Sequence, residues 1–95
     1  MGKPVKYVRD WAEVDLCEMH WAIVLVDHGH ALLRKDHAIA LKDQCDYLVL
    51  HDTEPENEKI YGYREVWEHF KHRRDFTTLH PHTSILSNTH TLDWL

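Results

Sequence analysis

Two short runs carry apolar, largely β-branched residues with no polar interruption, Ala22-Ile23-Val24-Leu25-Val26 and Tyr47-Leu48-Val49-Leu50, and each stops at an aspartate set among histidines. Runs of this length without alternation predict strands buried on both faces, the usual condition of a parallel sheet. Parallel neighbours need a crossover, and residues 31–43 lie where it must be. They are good helix formers, with Leu32, Leu33, Ile39, Ala40 and Leu41 on one broad arc opposite Arg34, Lys35 and Lys42, although Asp36 falls inside that arc.

The remaining segments extend the pattern. Val5-Lys6-Tyr7-Val8 alternates at period two and reads as a short strand, followed by a loop or short helix up to His20. Residues 54–61, rich in Glu with Pro55 and Asn57, read as an exposed loop. Tyr63, Val66, Trp67 and Phe70 stand at i, i+3, i+4 and i+7 and mark the clearest helix. Residues 76–79 and 83–86 flank His80-Pro81-His82 and read as two closing strands, able to pair antiparallel. Strand, strand, helix, strand, helix, strand, strand predicts one α/β domain on a mostly parallel sheet.

Composition narrows the function classes. Eleven Lys+Arg against 16 Asp+Glu leave a net charge of −5, which argues against a grip on nucleic-acid phosphates. The basic run Lys71-His72-Arg73-Arg74 reads as a solvated positive helix end. The N-terminal residues lack the apolar core of a signal peptide, and no apolar run approaches the ~20 residues that cross a bilayer. Two cysteines, Cys17 and Cys45, are sparse for a secreted disulfide framework and read as free thiols of a cytoplasmic protein without membrane partners.

In open α/β sheets, ligands bind beyond the carboxyl ends of the strands. That rule places Asp27-His28-Gly29-His30 beside His51-Asp52-Thr53-Glu54. Asp27 and Asp52 can converge there on a hard divalent cation such as Mg²⁺, which would orient a hydroxyl and favour its ionised form. His28, His30 and His51 are candidates for proton transfer. A second reading makes each aspartate a cap for the segment that follows. Ten histidines also invite a zinc site, but His28-x-His30, His69-x-x-His72 and His80-x-His82 sit on different elements with no Cys-x-x-Cys, so spacing alone writes no compact ligand set. Trp67 belongs to the apolar stripe of its helix, whereas Trp11 either packs or stacks on a flat ligand such as adenine. No Walker loop, Gly-x-Ser-x-Gly or Gly-x-Gly-x-x-Gly occurs.

The ordered set Ile23-Val24-Leu25-Val26-Asp27-His28, Tyr47-Leu48-Val49-Leu50-His51-Asp52-Thr53-Glu54, Tyr61-Gly62-Tyr63 and Thr83-Ser84-Ile85-Leu86-Ser87-Asn88 resembles the C-terminal half of a class I, S-adenosylmethionine-dependent methyltransferase. The particular group has Val-Asp-His after its fourth strand and His-Asp-Thr-Glu after its fifth. The resemblance covers roughly residues 5–90. It implies a Rossmann-like sheet and methyl transfer from S-adenosylmethionine to a hydroxyl on a small molecule, assisted by a divalent cation. By likeness to the metal-dependent catechol O-methyltransferases, Asp27, Asp52 and Thr53 would hold the metal. His30 stands where those enzymes carry a catalytic lysine, so His30 or His28 would be the base. Asp10 and Trp11 would lie near the adenine, with Asp27 and His28 also on the cofactor side. The family's glycine-rich first strand has no counterpart in residues 1–95, which predicts an incomplete domain, inactive alone. An unpaired edge at residues 22–26 then predicts self-association or a complementing N-terminal half. The alternative expectation is a non-catalytic fragment whose edge strand serves assembly.

Overall fold

A computed structural model describes residues 15–16, 18–29 and 31–95. Strand β1 (Trp21–Val26) leads through helix α1 (Ala31–Ala40) to strand β2 (Cys45–His51). The two strands run parallel, with Val26 opposite Leu50, so the crossover expected from the apolar runs is present. A 3₁₀ turn (Pro55–Asn57) and two single-turn helices, α2 (Glu58–Tyr61) and α3 (Arg64–Trp67), precede strands β3 (His72–Phe76) and β4 (Thr83–Ser87). Strand order is β1-β2-β4-β3, with β4 antiparallel to both its neighbours.

The chain is therefore a small α/β domain on a four-stranded mixed sheet, in which the β1–β2 pairing is parallel and the other two are antiparallel. A mostly parallel sheet was the expectation. Residues 77–82 are too few for a crossover of about a dozen residues, so β3 and β4 must pair as a hairpin. The hairpin was foreseen, but its first strand lies at His72–Phe76 rather than at 76–79.

Other boundaries moved for local reasons. Helix α1 ends at Ala40 because the chain tightens there: Leu41 N–H reaches the carbonyls of both His37 and Ala38, and Gln44 N–H that of Leu41. The supposed loop at 54–61 coils into the 3₁₀ turn and α2, stopped by Gly62 at φ 67°, a left-handed cap that suits glycine. Conversely, the 63–70 stripe is helical only over α3. Its bonds from Val66 to Tyr63, His69 to Val66 and Phe70 to Trp67 are three-residue turns. The apolar spacing nonetheless located the packing face, since Tyr63 and Val66 are buried. The strand read at 5–8 lies outside the described residues.

One core occupies one face of the sheet. Leu48 and Leu50 of β2, Leu86 of β4 and Val26 of β1 pack with Ala38, Leu41, Tyr63 and Val66 from the helical segments. Between the buried leucines, Tyr47 and Val49 are only partly buried, so β2 alternates instead of being covered on both faces. On that second face the rings of His90 and Trp94 rest on Tyr47, at 5.2 and 5.9 Å. Among the described residues no strand pairs with the outer edge of β1, where Ile23 and Leu25 are 67% and 62% exposed. No described helix is long and apolar enough to cross a membrane.

Candidate metal centre

The parallel register brings the two strand ends level. Val26 pairs with Leu50, so Asp27 and His51 each stand one residue further on, and Asp52 follows. Asp52 adopts φ 62°, a left-handed conformation that a short polar side chain tolerates better than most. The turn is held by Asn57 Nδ2, which donates to the Asp52 carbonyl at 3.1 Å.

Three donor atoms converge. His51 Nδ1 lies 3.0 Å from Asp27 Oδ1 and 3.1 Å from Asp52 Oδ2. Among the described residues this is the only group of three acidic, histidine or cysteine side chains whose ligand atoms all lie within 4.8 Å of one another. The Nδ1 atom is shut off from solvent, yet despite these short distances it makes no hydrogen bond of acceptable geometry. A buried nitrogen facing two carboxylate oxygens, without the angles a proton would require, fits a divalent cation coordinated by two oxygens and one imidazole.

Beneath the three donors lies Arg34, whose side chain is 7% exposed. Its Nη1 donates to Asp52 Oδ2 at 3.1 Å, to the His51 carbonyl at 3.3 Å and to Tyr63 Oη at 3.3 Å, and its Nε donates to the His28 carbonyl at 2.8 Å. Nη2 stands 3.5 Å from Asp27 Oδ1. The Tyr61 ring covers the guanidinium at 4.4 Å, and Tyr63 Oη donates onward to the His51 carbonyl at 3.0 Å. Burial raises the Tyr63 hydroxyl pKa, and this outweighs the opposing pull of Arg34. The phenol therefore stays a donor.

The charge balance follows. Two carboxylates against one guanidinium leave one negative charge. A proton on His51 would cancel it and make a closed structural ion network; a divalent cation would leave one positive charge facing the solvent side, where Asp27 is 43% exposed. The second arrangement suits a site that must hold an anionic oxygen.

The residues singled out in the sequence fare differently. Asp27 and Asp52 do meet. His51, read as a proton carrier, supplies the third donor. Thr53 turns away: its Oγ1 is 2.9 Å from Ser84 Oγ, which donates to Asp75 Oδ1 at 2.7 Å. The His28 ring lies edge-on to that of His37, with Nε2 3.0 Å from His37 Nδ1. Asp10, Trp11 and His30 lie outside the described residues. Arg34 was misplaced by the helix arc, which put it on the polar side. In fact α1 buries Arg34 and Ala38, while Leu32 is 72% exposed. The available signal was the spacing Arg34, Ala38, Leu41, a stripe at i, i+4 and i+7.

Comparison of the chain with protein-family models, with curated proteins and with solved structures finds no match.

Proposed function

We propose that the chain is the C-terminal half of a Rossmann-like, S-adenosylmethionine-dependent methyltransferase whose divalent-cation edge is formed by Asp27, His51 and Asp52. The observation that carries the reading is the convergence of two parallel strand ends on one buried imidazole nitrogen and two carboxylate oxygens. Two further features support it. The strand ending in Val26-Asp27-His28 lies at the sheet edge with its outer side unpaired among the described residues, and that side is where the family's first strand would lie. The closing pair β3–β4 is antiparallel.

In this reading the cation would be held by Asp27, His51 and Asp52, and it supplies the charge that favours an ionised acceptor hydroxyl. Arg34 fixes both carboxylates from below, and Tyr63 fixes the His51 backbone. His28 or His30 takes the hydroxyl proton while the acceptor oxygen bonds to the methyl carbon and the sulfonium–methyl bond breaks. Asp10 and Trp11 would border the adenine. A complementing N-terminal half would supply the glycine-rich turn, so the chain alone is inactive. A cytoplasmic setting accords with Cys45, a free thiol that burial pushes up to about 11 and so keeps unreactive.

The test is calorimetric titration of S-adenosylmethionine into the purified chain, with and without Mg²⁺, in the native sequence and in Asp27→Asn. Saturable, Mg²⁺-dependent binding near one per chain or per dimer, lost in Asp27→Asn, supports the reading. Folded protein that binds neither the cofactor nor any divalent cation at Asp27 overturns it.

A second reading has its own observation. The exposed Ile23 and Leu25 on an edge strand without Lys, Pro or bulge make a pairing template, so the chain would serve as a non-catalytic assembly piece. It predicts association by light scattering that persists in Asp27→Asn and is lost when Leu25 is replaced by Lys.

A further inference from the structure

The opposite end of the same strands carries a second convergence. His20 directly precedes β1, Asp46 is the second residue of β2, and His90 follows β4. His20 Nε2 lies 2.8 Å from Asp46 Oδ1, and His90 Nε2 lies 3.7 Å from that same oxygen. Donors about 2 Å from a tetrahedral zinc ion stand about 3.3 Å from one another, and the two observed separations bracket that spacing.

A salt bridge alone does not account for both rings. One imidazolium satisfies one carboxylate, yet the second imidazole is brought to the same oxygen and its approach is built into the backbone. Ser87, whose side chain is buried, donates from Oγ to the Asp46 carbonyl at 2.6 Å and accepts from the backbone N–H groups of His90 at 2.9 Å and Thr89 at 3.2 Å. One hydroxyl thus ties the turn bearing His90 to the residue bearing the carboxylate. The His90 ring is stacked on Tyr47 at 5.2 Å and 22°, and Trp94 packs on the same tyrosine. On the other side, the start of β1 is pinned by Trp21 N–H bonded to the Gln44 carbonyl at 2.7 Å and by Trp21 Nε1 bonded to the Leu16 carbonyl at 2.9 Å. Both imidazoles are about half exposed, so turning each Nε2 onto a shared ion needs side-chain rotation and no movement of the strands.

We propose that His20, Asp46 and His90 form a second, independent cation site that takes a borderline divalent transition metal of the Zn²⁺ class, with water completing its coordination. Two imidazoles and one carboxylate favour such an ion over Mg²⁺. The ion would clasp the entry of β1 to the exit of β4 across β2, and its effect is on stability, since binding to the folded state alone raises the unfolding temperature.

The test uses ZnCl₂ titrated at neutral pH into the Asp27→Asn/Asp52→Asn chain, which removes the other site, and into the same chain carrying His20→Gln or His90→Gln. The proposal expects one bound Zn²⁺ and a raised thermal midpoint, with affinity falling at least tenfold in each histidine variant. Zinc binding that survives both histidine changes, or no zinc binding by the folded parent, overturns it. Should the parent variant fail to fold, the native chain serves instead: zinc must shift the NMR signals of the His20 and His90 rings, and undisturbed signals at saturating zinc refute the site. Failure here leaves the proposal for the Asp27 edge untouched, because that proposal is read from Asp27→Asn with Mg²⁺ and S-adenosylmethionine.

Discussion

The two ends of the β1–β2 pair are built from the same residue types in opposite style. At the carboxyl end, two aspartates and one histidine close over a buried guanidinium, and every donor is positioned by backbone carbonyls and a buried tyrosine. At the amino end, two histidines and one aspartate meet in the open, positioned by a buried serine hydroxyl and an aromatic stack. The difference teaches where the free energy of an ionic cluster resides. A buried cluster makes the fold depend on its charges, whereas an exposed cluster leaves the fold nearly indifferent until an ion arrives.

The largest effect expected from breaking this contrast comes from Arg34→Ala. Removing the guanidinium leaves Asp52, a partly buried carboxylate, without its cation and should cost about 3 kcal/mol, measured as a lower urea midpoint. Under the cation-site proposal, Mg²⁺ or Mn²⁺ should recover part of that loss, because the vacated positive charge favours a metal. Recovery absent at saturating cation would make the cluster a purely structural network.

Acidification comes next. Burial would raise the Asp75 carboxyl pKa, but bonds from Arg73 and Ser84 outweigh it and hold the group below the usual carboxylate range. Because the folded-state value lies below the unfolded one, the stabilisation is complete above the unfolded value and is lost as pH falls through the folded one. Stability should decline through the acid limb, and Ser84→Ala should flatten part of that decline. Denaturant midpoints against pH, with the carboxyl signal of Asp75 followed by NMR, check both.

The smallest effect belongs to the amino end. Asp46→Asn in metal-free protein should leave the denaturant midpoint almost unchanged, even though the bond from His20 holds the Asp46 carboxyl below its usual range. A substantial loss of stability there would erase the contrast between the two ends.

Sequence patterning carried some of this and missed the rest for identifiable reasons. The uninterrupted runs at 22–26 and 47–50 gave the parallel pair, and the aspartates after them followed from strand register alone. What patterning does not encode is how many faces of a sheet are covered: β2 reads as buried on both faces, yet Tyr47 and Val49 meet only partial cover. Nor does hydrophobicity identify a charged residue destined for the interior. The exposed Leu32 and the buried Arg34 exchanged places because three carbonyl and hydroxyl acceptors, none visible in local sequence, satisfy the guanidinium. Strand β3 was unreadable because His72-Arg73-Arg74-Asp75-Phe76 is polar on both sides. It is an outer strand with four of its five residues exposed, and pairing with β4 alone makes it a strand.

Arg34 also has a kinetic meaning. Its side chain joins positions 6, 17 and 29 residues away along the chain. A guanidinium cannot shed its water in favour of one of these partners and wait for the others, since each bond left unmade strands part of a buried charge. The β1 exit, the β2 exit and the Tyr63 segment must therefore lock together and release together. Amide hydrogens across these three segments should exchange with a common opening rate, while those around His20 and His90 exchange independently.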